Sequence, residues 1–366
     1  MVALKEVERK KDKSVFDLVS EHNHEKVVFC HDKDTGLKAI IGIHNTVLGP
    51  ALGGTRMWSY ASEAEALDDV LRLSRGMTYK AAISGLNLGG GKAVIIGDAK
   101  KDKNEALLRR FGRFVKNLNG CFITAEDVGM TTKDMEFIRM ETEHVCGLPE
   151  SRGGSGDPSP VSAYGTYMGM KAAAKKAFGS DSLEGKRIAV QGVGHVGAYL
   201  VELLTKENVE LFVTDIYEDR LREVAKKFSA KVVSMEDIYE LDVDILSPCG
   251  LGGTINNNTI NRLKCKVIAG CANNQLRDEQ VHGPALADKG IVYAPDFLIN
   301  AGGLINVYAE LVGYNRDSAY AQTERIYGYT LDVFALAEKE GIHNQQAAMR
   351  LAEKRIESIG RVRSTF

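Results

Sequence analysis

Two lysines stand twelve residues apart in Gly76-Met-Thr-Tyr-Lys80-Ala-Ala-Ile-Ser-Gly-Leu-Asn-Leu-Gly-Gly-Gly-Lys92. Lysines are ordinarily solvated, but these lie among glycines and apolar residues rather than among acids. Glycine lets a backbone come close to a ligand. A lysine kept from water beside a second cation has a depressed pKa, which suits it to proton abstraction. Asp127, in Thr124-Ala-Glu-Asp-Val-Gly129, adds a carboxylate at a strand end. Its plainer reading is a helix-cap acid, because a helix begins at Thr131. The Gly89-Gly-Gly-Lys92 stretch is not a P-loop. That motif requires glycine five residues before its last glycine and Ser or Thr after the lysine. This chain has Leu86 and Ala93 there.

A second constellation is Gly192-Val193-Gly194-His195-Val196-Gly197, a GxGxxG that directly follows a strand and opens a helix. That context makes it specific. The glycines permit a tight turn, close approach of a pyrophosphate and close helix–strand packing, while the helix N-terminus attracts phosphate. Asp215 ends the next strand, where a carboxylate can accept hydrogen bonds from both adenine-ribose hydroxyls. Its charge would repel a 2′-phosphate, so the expected cofactor is NAD rather than NADP. Without the glycines upstream, Asp215 would read equally well as a turn or cap residue.

These residues need a scaffold of strands and helices, and the pattern supplies one. Strands are expected at 37–44, 92–97 and 121–124, with a helix opened by a capping box at Ser62–Glu65 and carrying Ala66, Val70 and Leu73 inward. Further helices are expected over 103–118 and from Thr131. The segment 151–160 packs glycine, serine and proline together, as a hinge does. After a helix at 161–178, strands begin at Arg187, Leu211, Lys231, Asp244, Lys266 and Ile291 at α/β spacing. The expectation is an α/β protein of two domains separated by a cleft, the second a Rossmann-type doubly wound parallel sheet. The boundaries are 1–150 for a substrate-binding and catalytic domain and 151–334 for the NAD-binding domain. A C-terminal helical segment, about 335–366, returns to the first.

Composition narrows the partners. A chain of 366 residues suits two cores, and 44% hydrophobic with 26% charged residues is ordinary for a globular protein. The net charge of −2, without like-charge blocks, favours neither nucleic acid nor membrane as partner. No apolar run is long enough to span a bilayer, and the N-terminus lacks a signal-peptide centre. A cytoplasmic location is therefore expected. The six cysteines show no CxxC pair and no metal-ligand spacing, so they are expected reduced and buried, with no metal.

The chain resembles the glutamate/leucine/phenylalanine/valine dehydrogenase family over nearly its whole length. The resemblance rests on Gly49-Pro-Ala-Leu-Gly-Gly-Thr-Arg-Met-Trp58, Gly76-Met-Thr-Tyr-Lys80, Leu88-Gly-Gly-Gly-Lys92, Ala125-Glu-Asp-Val-Gly129, Pro158-Ser-Pro-Val161, the 192–197 fingerprint, Ala272-Asn-Asn-Gln-Leu276 and Asn300-Ala-Gly-Gly303. It implies NAD-dependent oxidative deamination of branched-chain L-amino acids, leucine above all, by a homo-oligomer, often an octamer. By resemblance, Lys80 binds the substrate α-carboxylate and Lys92 activates the water that attacks the imino carbon. Asp127 is the partner of Lys92 in proton transfer, and Gly53 and Gly54 admit the substrate closely. Asn274, with Asn273, orients substrate and nicotinamide. In glutamate-type members a lysine stands where this chain has Leu52 and a serine where it has Val307. With Ala125 and Leu304 these imply a dry aliphatic pocket. Leu304 replaces the usual valine, and Cys249-Gly-Leu-Gly replaces Cys-Ala-Leu-Gly. A phenylalanine- or valine-preferring relative is the alternative, and a catalytically silent NAD-binding protein is the reading from a different class.

Overall fold

The computed structural model describes residues 14–363 and contains two sheets. After a short helix α1 (Val15–His22), the first sheet comprises β1 (Lys26–Asp32), β2 (Leu37–Asn45), β3 (Ala51–Trp58), β4 (Gly89–Ile96) and β5 (Phe122–Glu126), in the order β1-β2-β4-β3-β5. Helices α2 (Glu63–Ile83), α3 (Glu105–Lys116) and α4 (Thr132–Arg139) connect and cover them. Strands β4, β3 and β5 run parallel, but β1 and β2 add an antiparallel edge that strand–helix alternation does not foretell. The motif at 49–58 proves to be the strand β3, which its paired glycines disguise.

Strand β4 also begins earlier than expected, at Gly89, so the glycine run lies inside the sheet. The reason is close packing. A Cβ on Gly90 would lie 2.1 Å from the Thr78 backbone nitrogen on α2, and one on Gly91 would lie 2.7 Å from the Phe122 ring. Helix α2 can therefore rest on β4 backbone to backbone, and the two elements that carry Lys80 and Lys92 are in direct contact. At the start of α2, Ser62 Oγ accepts the Glu65 N–H at 3.1 Å. The reciprocal half of the expected capping box is displaced, since Glu65 Oε2 takes the Ala61 N–H instead. Ala66 and Val70 are buried, Leu73 only half so, and the buried stripe continues through Ser74 and Thr78.

That stripe meets two buried histidines. His24 Nε2 lies 2.7 Å from Ser74 Oγ, and His44 Nδ1 lies 2.8 Å from Thr78 Oγ1. Burial pushes His24 down to about 3, with His44 and His22 adding repulsion, and burial with Arg75 nearby pushes His44 down to about 4. Both rings are held neutral in the fold. Their contribution to stability is complete above the unfolded value of about 6.5 and is lost as the pH falls below it. The Tm is expected to drop between pH 7 and pH 5, and to drop less in His44→Gln. Parallel Tm-against-pH curves for the two proteins would count against this account.

The second sheet is parallel throughout, in the order β11-β10-β9-β6-β7-β8. It follows α5 (Ser159–Phe178) and comprises β6 (Arg187–Gln191), β7 (Glu210–Thr214), β8 (Lys231–Val232), β9 (Ile245–Pro248), β10 (Val267–Ile268) and β11 (Val292–Tyr293). Helices α6 (His195–Thr205), α7 (Glu218–Phe228) and α8 (Glu279–Asp288) lie between strands. The chain winds outward from β6 to β8 and then returns to β9 on the other side of β6. The crevice beside β6, where strand order reverses, is where such sheets hold ligands. Five helices follow: α9 (Asp296–Ile299), α10 (Gly302–Glu310), α11 (Arg316–Glu324), α12 (Ile326–Glu340) and α13 (Asn344–Arg363). Helix α13 packs on α2: Arg355 Nη1 donates to the carbonyls of Ala82 (3.2 Å), in the last turn that carries Lys80, and of Leu86 (2.6 Å), just beyond it. Among the described residues no helix is long and apolar enough to cross a membrane.

Candidate active site

Lys92 projects from β4 with only 6% of its surface exposed. Its Nζ lies 3.1 Å from Asp127 Oδ1, just beyond the end of β5. The other carboxylate oxygen, Asp127 Oδ2, accepts a hydrogen bond from Arg56 Nε at 2.8 Å. Burial alone would push the Asp127 carboxyl up, but Lys92 and Arg56 outweigh burial and hold it down at about 2. Asp127 is thus a fixed anion rather than a helix cap; Thr131 caps α4.

Lys80 emerges from the last turn of α2, half-buried, and its Nζ donates to Asn273 Oδ1 at 3.0 Å. Enclosure away from water drives its ammonium down to about 8; Lys92 adds repulsion, while Asp296 and Asp127 pull the other way. A carboxylate arriving beside Lys80 would restore the lost stabilisation of its charge. Asn273 also receives the Asn300 Nδ2–H at 2.8 Å. Behind them sits Asp296, whose carboxyl is pushed up by burial and which accepts the Gln275 N–H at 2.7 Å. Asn274 adopts a left-handed backbone (φ 52°) and receives the Gly253 N–H on its carbonyl at 2.7 Å. Of the two asparagines, Asn273 is the one whose side chain meets Lys80.

Gly53 and Gly54 make room in the first place for the protein's own strands. A Cβ on Gly53 would lie 1.7 Å from the Gly91 carbonyl oxygen, and one on Gly54 would lie 2.5 Å from that of Glu126. Leu52, Ala125, Leu304 and Val307 are all buried and belong to one apolar cluster, although they come from β3, β5 and α10. Arg56, Asn300 and Asp296 are site residues that sequence reasoning misses. Arg56 and Asn300 lie inside the stretches 49–58 and 300–303, but nothing in their spacing reveals what they touch.

The 192–197 loop could hold a dinucleotide by its backbone. Gly192 has φ 97°, and a Cβ on Gly197 would lie 2.1 Å from the Gly192 carbonyl oxygen. Gly194 caps α6 with no side-chain hydrogen bond. Above it the space is open except for Arg220 Nη1, 3.0 Å from where a Cβ would stand. Val193 is buried and Val196 packs against the same core, so both offer only backbone to a ligand, while His195 is exposed. Asp215, one residue past β7, accepts the Val193 N–H (2.8 Å) on one oxygen and the Tyr217 N–H (2.9 Å) on the other. It latches the glycine loop, a duty the spacing alone does not announce. All six cysteines are free; Cys30, Cys146 and Cys265 are buried, whereas Cys121, Cys249 and Cys271 are only partly so.

Both halves of the chain match known family models. Residues 24–144 match the Glu/Leu/Phe/Val dehydrogenase dimerisation domain, and residues 153–214 and 212–359 match glutamate/leucine/phenylalanine/valine dehydrogenase. The leucine dehydrogenase of Thermoactinomyces intermedius is 58% identical over 352 residues, covering 96% of each chain. The crystal structure of L-tryptophan dehydrogenase from Nostoc punctiforme superposes with a TM-score of 0.83 at 48% identity, covering 94% of this chain and 99% of that one. A hetero-hexameric glutamate dehydrogenase from Thermus thermophilus shares the fold at 23% identity (TM-score 0.79), covering 94% and 91%. With matches over almost all of its length and a lysine–aspartate pair buried beside a glycine-loop sheet, the chain belongs to the glutamate/leucine/phenylalanine/valine dehydrogenase family and is an amino-acid dehydrogenase.

Proposed function

We propose that this enzyme catalyses the reversible NAD-dependent oxidative deamination of L-leucine and other branched-chain L-amino acids to 2-oxo acids and ammonia. The observation that carries the reading is the buried Lys92–Asp127 pair at 3.1 Å, with Lys80 close enough to be repelled by Lys92. NAD, held by the backbone of 192–197 and by Asp215, would supply the hydride acceptor for the substrate Cα. The chain's own residues do the rest. Lys80 pairs with the α-carboxylate, and Asn273 holds Lys80 in place. Lys92 takes a proton from the water that adds to the imino carbon, while the fixed charge of Asp127 stabilises the lysine as it becomes cationic. Ammonia then leaves and the oxo acid remains.

The division of labour follows: residues 1–150 carry the amino acid, residues 151–334 carry NAD, and the segment from about 335 braces the first unit. A homo-oligomer in the cytoplasm, an octamer by resemblance, completes the reading; the dimerisation-domain match over 24–144 supports assembly. The likeness to a tryptophan dehydrogenase makes an aromatic preference the competing outcome.

Asp215 decides the cofactor. NADH formation should far exceed NADPH formation with L-leucine, and Asp215→Ser should narrow that ratio by removing repulsion of the 2′-phosphate. The latch to Val193 is lost in the same variant, so the KM for NAD should rise. Equal kcat/KM for NAD and NADP in the unmodified enzyme would overturn the assignment.

A further inference from the structure

Arg56 stands where three parts of the site meet. Its Nε donates to Asp127 Oδ2 at 2.8 Å, and its Nη1 donates to Asp69 Oδ2 at 2.9 Å. Asp69 belongs to α2, the helix that carries Lys80, and Arg56 itself belongs to β3, whose Leu52, Gly53 and Gly54 border the site. Tyr60 donates its hydroxyl to Asp69 Oδ2 at 2.7 Å, and Arg72 Nη2 reaches Asp69 Oδ1 at 3.5 Å. The side chains of Asp127, Arg56 and Asp69 are each less than a quarter exposed, so screening by water is weak. Lys92, Asp127, Arg56 and Asp69 form a row in which basic and acidic side chains alternate.

This row has a direction. Asp127 has two oxygens and two basic neighbours, and Arg56 claims Oδ2, which leaves Oδ1 to Lys92. A guanidinium can do this because its planar fork presents Nε and Nη1 to two different carboxylates at once; an ammonium is a single point charge without that geometry. Two further groups meet the row: Lys80 from α2 faces Asp127, and Tyr60 faces Arg56 through Asp69.

We propose that Arg56 is a positioning residue for the reaction: anchored on Asp69, it occupies Oδ2 of Asp127, aims Oδ1 at Lys92 and ties α2 to β3. The proposal rests on Lys92 being the base. Arg56 touches neither substrate nor cofactor in this role; it acts through Asp127.

The test is Arg56→Gln, assayed for kcat, for KM towards L-leucine and NAD, and for its pH profile. Misplacing a catalytic group by about 1 Å can cost on the order of 10²-fold, so kcat should fall to that extent while NAD affinity by calorimetry stays unchanged. With one cation removed beside the Lys92–Asp127 pair, the pair should hold a proton more readily, so the acid limb of kcat/KM should move upward. Arg56→Lys should bring the acid limb back towards its original position but recover kcat only in part. Wild-type kcat with an unmoved acid limb in Arg56→Gln would overturn the proposal. Should that variant fail to fold, Asp69→Asn keeps Arg56 on Asp127 and frees its other end; kcat should fall severalfold, and an unchanged kcat would overturn the proposal equally. Lys92→Ala separates the two readings. If it retained turnover, the base assignment itself would fail; if it were inactive beside a fully active Arg56→Gln, only the role of Arg56 would.

Discussion

Lys92→Ala is expected to lower kcat with L-leucine by about 10²–10⁴-fold, the usual contribution of a general acid–base group, while NAD affinity stays as it is. Both halves of this expectation come from the geometry. Lys92 is buried on β4 of the first sheet, whereas the glycine loop at 192–197 follows β6 of the second, so its loss should leave that loop unchanged. Removing one member of a buried ion pair commonly destabilises a fold by about 3–5 kcal/mol, because the other charge is orphaned. Here Asp127 keeps Arg56 at 2.8 Å, so the variant should stay folded and the loss should appear in turnover. Steady-state kinetics alongside calorimetric titration with NAD checks this. More than a tenth of the original turnover in the alanine variant would show that another group takes the proton.

L-Glutamate is expected to react at least about 10³-fold less efficiently than L-leucine. Leu52, Ala125, Leu304 and Val307 are buried in one apolar cluster, and none can pair with a distal carboxylate. Desolvating such a charge without a partner costs several kcal/mol, and each 1.4 kcal/mol is about a factor of ten. Among apolar side chains the contrast is weaker, since one methylene changes binding by only ~1–3 kcal/mol. Valine and isoleucine should therefore react, and alanine and phenylalanine poorly if Ala125 borders the substrate side chain. A panel of L-amino acids compared by kcat/KM decides the matter, and glutamate or phenylalanine exceeding leucine would overturn the pocket.

Much of this site is legible before any coordinates, because its parts are local. The glycine fingerprint, Asp215 and the two lysines are each recognisable within a few residues, and the strand–helix rhythm of 187–293 translates directly into a parallel sheet. What is not legible is contact across distance. Arg56 and Asp127 lie 71 residues apart in sequence, and Lys80 and Asn273 lie 193 apart, so no window of sequence holds both partners. Glycine misleads in the other direction. In Gly53-Gly54 and Gly89-Gly-Gly91 it reads as room for a ligand, whereas both sets lie inside strands that pack too closely for a Cβ. The antiparallel edge of β1 and β2 escapes for a related reason: alternation with helices says that strands exist, not which way an edge strand runs.

The close packing of those glycines bears on how the enzyme behaves as it warms. A surface built of side chains holds its shape only while each one stays in its rotamer, and freezing a long side chain costs up to about 2 kcal/mol of entropy. Glycine has no rotamers to lose. The floor between β3, β4 and α2 is defined by main chain against main chain, so heating has little there to excite, whereas the long side chains above it gain freedom steadily. On warming, exposed side chains with free rotamers should therefore loosen before the spacing of β4 and α2, the strand and helix from which Lys92 and Lys80 spring.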